Sequence, residues 1–370
     1  MIIRKFSINS NILATALLLL FFVFTSQVGF AQEHHAEAAA AGHTQVDEEE
    51  FDAGKVILDH VMDSHSWHVM DIGQGADKHA IAIPLPIIIY DQQDGALHMF
   101  MSSKFEHGHA AYDGYKLEEN TIVRADTGLT DGILDFSITK TTFAVFITVF
   151  MMLFIFLSIA KSYKRNPNQA PKGMQSFMEP IILFIRDDVA KPSIGKNYEK
   201  YMPFLLTVFF FILISNLMGL IPFFPGGSNI AGNIAVTMVL ALLTFIITTA
   251  STNKAYWVHI VNMPGVPWWL KFPLPIMPLV ELMGVFTKPF VLMVRLFANI
   301  LAGHIVVLGF VSLIFIFGAQ SVAAGYGVSV VSVLFSVFLD LLEILVAFIQ
   351  AYVFTLLSAL YFGMAKVSDH

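Results

Sequence analysis

Between Glu281 and Gln350 an apolar sequence carries Glu281, Lys288, Arg295, Asn299, His304, Asp340, Glu343 and Gln350. The types matter as much as the number. An arginine does not give up its proton in a protein, so Arg295 is a charge that never switches off. A histidine loads and unloads near neutral pH, and a carboxylate can share that proton, so His304 with Glu343 is a candidate relay. Glu281, Lys288 and Arg295 are spaced by sevens, and Glu343 and Gln350 are seven apart, which puts each group on one helix face. Asn299 stays near the Arg295 stripe, whereas His304, nine residues beyond Arg295, lies about half a turn round. Folding the stretch back on itself near residue 322 brings His304 toward Glu343 and Asp340, and Arg295 toward Gln350. Two polar sets that do not line up suit two offset ion routes, where a single pore would need one continuous polar face. The alternative is that each polar group merely satisfies a neighbour. At about 2.5–3.5 kcal/mol for each ionisable group in a membrane, so many in two helices argue for function.

The elements that must hold these residues are membrane helices. The chain has 370 residues, of which 56% are hydrophobic and 13% charged, about half the usual charged share. Residues 141–160 carry no charge and are long enough to span. Residues 161–200 carry eight Lys/Arg against four Asp/Glu, which places them in the cytoplasm by the positive-inside rule. Their apolar run "MQSFMEPIILF" reads as a surface-lying segment. Residues 202–222 and 230–252 form a charge-free hairpin about the turn "IPFFPGGSN". The tryptophans of "MPGVPWW" in the following loop suit the membrane interface. The last two apolar stretches, 276–318 and 328–365, are joined by "GAQSVAAGYG". Each would run about 55–60 Å as a helix against a hydrocarbon core of about 30 Å, so they must break or incline steeply. The expected fold is an all-α polytopic membrane protein of five transmembrane helices, the last two a long, steeply tilted hairpin.

Residues 1–31 read as a signal peptide: Arg4 and Lys5, the apolar run "ILATALLLLFFVF", and small residues before a cut after Ala31. Residues 32–137 carry 20 acidic and 5 basic side chains and ten of the thirteen histidines. This acidic balance is no footprint for nucleic acid. Residues 32–52 are too polar and repetitive to bury a core. Residues 53–137 read as a small N-terminal α+β exported module: an amphipathic helix over 55–70, an edge strand over 79–90, a turn at "DQQDG" and a second strand over 96–104. His60, His65 and His68 beside Asp59 and Asp63 could hold a metal, but such spacing more often marks a solvated face, and "EHGH" (106–109) is weaker still. "GQGADK" (73–78) lacks the length and ending of a phosphate loop, and no nucleotide or cofactor site is visible. There is no cysteine.

"KPFVLMVRLFANILAGH" and "EILVAFIQAYVFTLLSALYFGMA" resemble the signature helices of subunit a of the F-type ATP synthase. The resemblance covers about 138–370 and rests on the Arg-Leu-Phe-x-Asn motif with a downstream glutamine. It implies a non-catalytic, proton-conducting stator subunit of the Fo sector with two offset half-channels. Its partners would be the c-ring, the subunit b stalk, the rest of the F1Fo complex and membrane lipid, with no cofactor. Arg295 matches the family's essential arginine, which would face the ring carboxylates. Asn299 and Gln350 match its polar partners; Glu281 and Lys288 match positions near the cytoplasmic exit. Some members carry an acid where this chain has His304 and a histidine where it has Glu343, so the pair is kept with its partners exchanged. The implied location is a bacterial inner membrane, with the N-terminal region periplasmic and the C-terminus cytoplasmic. The N-terminal 137 residues exceed the family's usual tail. The competing function is a self-contained ion-coupled secondary transporter, which would normally show internal repeats and broken helices.

Overall fold

The computed structural model describes residues 52–72, 79–108, 110–118, 120–165, 169–221, 224–261 and 276–365. The signal-like segment, the acidic stretch up to residue 51, "GQGADK", the paired tryptophans and His109 lie outside the described residues.

The N-terminal part runs α1 (Ala53–Val61), β1 (Ser66–Ile72), β2 (His79–Pro84), β3 (Pro86–Asp91), β4 (Ala96–Met101), a 3-10 segment (Ser102–Gly108), β5 (Tyr115–Glu118), β6 (Thr121–Arg124) and β7 (Ile133–Asp135). All pairings are antiparallel: β1 with β2, β4–β3–β7, and β5 with β6. The expected helix over 55–70 is half right. It stops at Val61, and "SWHVMDI" is a strand, as its aromatic and branched residues favour. The expected strand over 79–90 is two strands in different sheets. Pro84 ends one and Pro86 starts the next, positions where a missing N–H costs no ladder bond. Inward residues Ile87, Ile89, Phe105, Tyr115, Ile122 and Ile133 make a small core. Asp91 is fully buried beneath it and accepts bonds from the Tyr115 hydroxyl (2.7 Å), the Arg124 guanidinium (2.6 Å) and the Gln93 N–H (2.8 Å).

The helical part begins with α2 (Lys140–Arg165), whose last turn carries Lys164 and Arg165, the favoured charge for that helix end. Next come α3 (Met174–Phe184), a π-helical turn (Ile185–Ala190), α4 (Lys191–Ile194), a 3-10 turn (Gly195–Asn197) and α5 (Tyr198–Gly219). The segment expected to lie alone on the surface is therefore the start of a nearly continuous helical run into α5. Its charges offset one another, with Arg186 and Lys191 both paired to Asp187. The end of the last helix packs on it: a Cβ on Gly363 would come within 2.0 Å of the Ser193 carbonyl oxygen.

Helix α5 is apolar on every side and buries Phe209, Phe210 and Phe211, as a central helix should. Next are α6 (Ile234–Ala250), capped by the Asn233 side chain accepting the Ala235 N–H at 2.9 Å, and the short α7 (Lys254–Val261). The final pair is α8 (Ile276–Gln320) and α9 (Val322–Met364). The linker expected over 318–327 is helical except at Ser321, whose hydroxyl caps α9 by accepting the Ala324 N–H at 3.1 Å. Gly325 lies so close to Gly318 that a Cβ would be 2.8 Å from its Cα. The two glycines let the hairpin close on one residue. Neither helix breaks, so two rods of about 65 Å can enter an apolar layer of about 30 Å only at a steep incline.

Besides its own core, the module contributes Trp67 to the core of the helices. Trp67 of β1 packs edge-on against Phe143 of α2 and Phe224 of the α5–α6 turn, at 6.0 and 5.4 Å between ring centres. The Thr141 N–H donates to Asp63 (2.9 Å), and the Lys140 ammonium donates to the His60 carbonyl (3.2 Å). Helix α1 rests on α8.

Candidate functional site

Helix α8 packs on α9, α6, α7 and α1, with Phe245 of α6 against Phe286 near its start. Each polar residue is set by its place on this rod. His304 and Glu343 meet: Nδ1 lies 3.8 Å from Oε1, with side-chain exposures of 17% and 7%. Two glycines make the room. A Cβ on Gly303 would fall 2.3 Å from Glu343 Oε1, and one on Gly219, at the end of α5, would sit 3.5 Å from His304 Nε2. The pair is therefore level with the α5–α6 turn, on the same side as the module. Glu343 Oε1 has no hydrogen-bond partner among the described residues. The same holds for the Ser215 hydroxyl, both amide atoms of Asn216 and the Ser228 hydroxyl. Ser215 and Asn216 precede Gly219 by four and three residues, on one helix face. Ser228 lies beside Gly219 through its carbonyl. Buried polar atoms of this kind are normally satisfied, by water where the protein supplies no partner. Asp340, three residues before Glu343, is exposed and within electrostatic reach of it.

The second polar group lies nearer the start of α8. Lys288 sits over the Tyr361 ring, 5.9 Å from its centre. It lines a small cleft with Thr244, Thr248, Thr252, Tyr256 and Tyr361. Burial, then the nearby Glu281 carboxylate, pushes the Tyr256 hydroxyl above the usual tyrosine range. Arg295 is exposed on α8 and close enough to act electrostatically on Tyr361. No hydrogen bond or ion pair joins its guanidinium to another described residue. Asn299 is exposed one turn on. Gln350 is buried against the hairpin interior, and no hydrogen bond brings it to Arg295. Between the two polar groups the hairpin buries Leu296 and Ile300 of α8 and Ala347 and Ala351 of α9, with Gln350 buried among them.

Around Arg295 the hairpin is bare. Only 11% of the most apolar window of α8 and 22% of that of α9 are buried, against 72% for the run containing α5. Val291, Val294, Leu341, Leu345 and Ile349 stand outward, a surface far larger than soluble monomers leave uncovered.

Charge alone does not mark Tyr361, the threonines of α6, Asn216, Gly219 or Gly303. Thr244 and Thr248 are four apart in the apolar α6, and Thr252 follows four residues on, just past its end, a pattern that could have marked them. The glycines had no local signal, because what they accommodate belongs to another helix. The metal reading of the histidines finds no support among the described residues: His65 bonds Asp135 at 2.8 Å, and no group of three candidate ligands converges.

The family model described as ATP synthase A chain matches residues 142–363. A second model, a domain of unknown function (DUF8433), matches residues 56–140. The chain is similar to ATP synthase subunit a of Chloroherpeton thalassium, 47% identical over 246 residues, which cover 65% of this chain and 70% of the relative. It is also similar to ATP synthase subunit a 2 of Chlorobium luteolum, 46% over 242 residues and 64% and 67% of the two chains. A third relative, ATP synthase subunit a of Myxococcus xanthus, is 45% identical over 253 residues, 66% of this chain and 77% of the relative. With more than half of its length matched by the family model and this degree of identity to its relatives, the chain belongs to the ATP synthase A chain family, the proton-translocating stator subunit of the Fo sector.

Proposed function

We propose that this multi-pass membrane protein conducts protons through two offset half-channels, with Arg295 as the fixed charge between them. The observation that carries the reading is the arrangement along α8. A polar group at His304–Glu343 and another at Lys288–Tyr361 are separated by a stretch in which Leu296, Ile300, Ala347 and Ala351 are buried around Gln350, and flanked by an exposed arginine. The exposed face suits a neighbour that brings its own acidic groups, which in this family would be the c-ring. A carboxylate drawn up to Arg295 is held ionised, because an opposite charge lowers its pKa. Its proton leaves by the Lys288–Tyr361 cleft toward the cytoplasm. As the ring turns, the carboxylate reaches the His304–Glu343 route, takes a proton from the exported side, and becomes neutral enough to enter lipid. A lysine could lose its charge on burial and open a leak, which a guanidinium does not do. Each charge crossing yields about 2.3 kcal/mol per 100 mV. The polypeptide itself makes and breaks no covalent bond to ATP in this reading; it sits in the inner membrane with module outside and C-terminus inside, beside the ring and the subunit b stalk. Residues 1–31 act as the export signal, 32–137 as the exported region and 138–370 as the membrane domain.

The chain's lack of cysteine makes the test direct. In the assembled complex, Asn299→Cys is expected to cross-link to a cysteine placed beside the ring carboxylate. Ile300→Cys, buried at 3% exposure, is not. Cross-linking at neither position, with Asn299→Cys labelled only by lipid-soluble reagents, would refute the docking.

A further inference from the structure

We infer that the exported module forms the outer mouth of the exported-side proton route, with the imidazole of His60 as a proton-transfer group outside His304. This rests on the proposed function, and it gives the module, matched only to a domain of unknown function, a place in that route.

Three observations converge. First, the module is fixed to the helices at the level of the His304–Glu343 pair. Helix α1 lies on α8, Trp67 wedges between Phe143 and Phe224, and Asp63 takes the Thr141 N–H at 2.9 Å. Second, His60 is on the α1 turn held by the helices, since the ammonium of the buried Lys140 donates to its carbonyl at 3.2 Å. That contact uses the backbone, so the ring is left for other work; the side chain is exposed while lying within electrostatic reach of His304. Third, the region between is polar. The Glu343 carboxylate of α9 lies 3.8 Å from His304, His60 of α1 and Lys140 of α2 lie within electrostatic reach of it, Asp340 acts on Glu343, and Gly219 of α5 approaches the His304 ring without a side chain. The unpartnered atoms of Asn216 and Ser228 line the same end of α5.

Partial desolvation of this still-exposed residue, then Lys140 and His68, hold the His60 imidazole below the ordinary histidine range. A ring of this kind is mostly neutral at neutral pH, so it accepts a proton and releases it readily inward. No net chemistry is involved: one proton binds a ring nitrogen from the outer solution and one leaves toward His304. The excess of acidic over basic side chains in 32–137 raises the local proton concentration at such a mouth.

The test uses the whole ATP synthase in membrane vesicles, with ATP synthesis followed as the pH of the exported side is varied. Removal of the relay group in His60→Gln should slow synthesis about three- to tenfold at an exported-side pH of about 8, where proton supply limits. It should leave the rate at a pH of about 5.5 near that of the parent. His60→Glu, which restores a proton-binding group, should recover most of the loss at the higher pH. A profile for His60→Gln that overlays the parent's, or a loss of equal size at every pH with no rescue by glutamate, overturns the inference. Arg295→Ala in the same vesicles separates the two readings. If it stops coupled pumping while His60→Gln changes nothing, only the role of His60 falls. If it pumps normally, the underlying site reading falls instead.

Discussion

Gly303→Ala tests the relay through a residue that carries no proton. The added Cβ would stand 2.3 Å from Glu343 Oε1, 2.9 Å from Cδ and 3.2 Å from Cγ. Contacts this short cannot persist. The nearest atoms are the free end of a flexible side chain, so the carboxylate swings away and the helices stay. Overpacking a tight contact costs about 1–3 kcal/mol, and the better helix propensity of alanine returns up to about 1 kcal/mol. The complex should therefore assemble. What changes is the reach of Glu343 to His304, now 3.8 Å. Displacing a reacting group by about 1 Å can cost on the order of a hundredfold in rate. Proton-driven ATP synthesis in vesicles should fall at least about tenfold, equivalent to about 1.4 kcal/mol on the limiting step. Gly309→Ala is the matched control, because a Cβ there meets nothing within 4 Å; it should leave the rate unchanged. Adding Glu343→Asp, which shortens the acid by one carbon, should recover part of the lost rate. Normal flux in Gly303→Ala, or equal losses in both alanine variants, would refute the relay geometry.

Two further outcomes are expected. Glu343→Gln should slow proton entry when the exported side is kept alkaline while assembly survives, read as ATP synthesis per assembled complex; unchanged flux at limiting proton supply would remove Glu343 from the path. In the module, burial alone would raise the pKa of Asp91, but bonds from Tyr115, Gln93 and Arg124 outweigh it and hold the carboxyl at about 2, against an ordinary 3.8. Its contribution to stability is therefore fully present above about 4 and lost as pH falls toward 2. Hydrogen-exchange protection of the β3 amides in the intact protein, corrected for intrinsic rates, should fall across that window, and Asp91→Asn should lower it at neutral pH. Protection unchanged in both would contradict the assigned role of the carboxylate.

The sequence made the polar pattern of the last hairpin legible because ionisable groups are rare in apolar helices, and spacing by sevens survives any detail of packing. Counting outward from a turn near 322 was enough to bring His304 to Glu343, since Ser321 proves to be the one non-helical residue there. It placed Arg295 level with Gln350 without saying whether the two side chains meet, and no hydrogen bond joins them among the described residues. Side-chain reach depends on rotation about the helix, which counting cannot supply. The continuous run from Met174 into α5 was hidden because Arg186, Asp187 and Lys191 interrupt the apolar pattern; they pair with one another while Asp187 and Lys191 keep their exposure. The division of 79–90 into two sheets turned on Pro84 and Pro86, residues that mark an edge without saying which sheet each side joins. Gly219 and Gly303 were silent because close approach is a property of two helices at once.

The whole account depends on a guanidinium that keeps its charge between two separated water-accessible ends. ATP-driven proton pumping by membrane vesicles containing Arg295→Ala complexes measures this most directly, with ATP hydrolysis and assembly recorded alongside. Pumping should disappear while assembled complexes remain in the membrane. Coupled pumping at the parental rate without that guanidinium would contradict the mechanism.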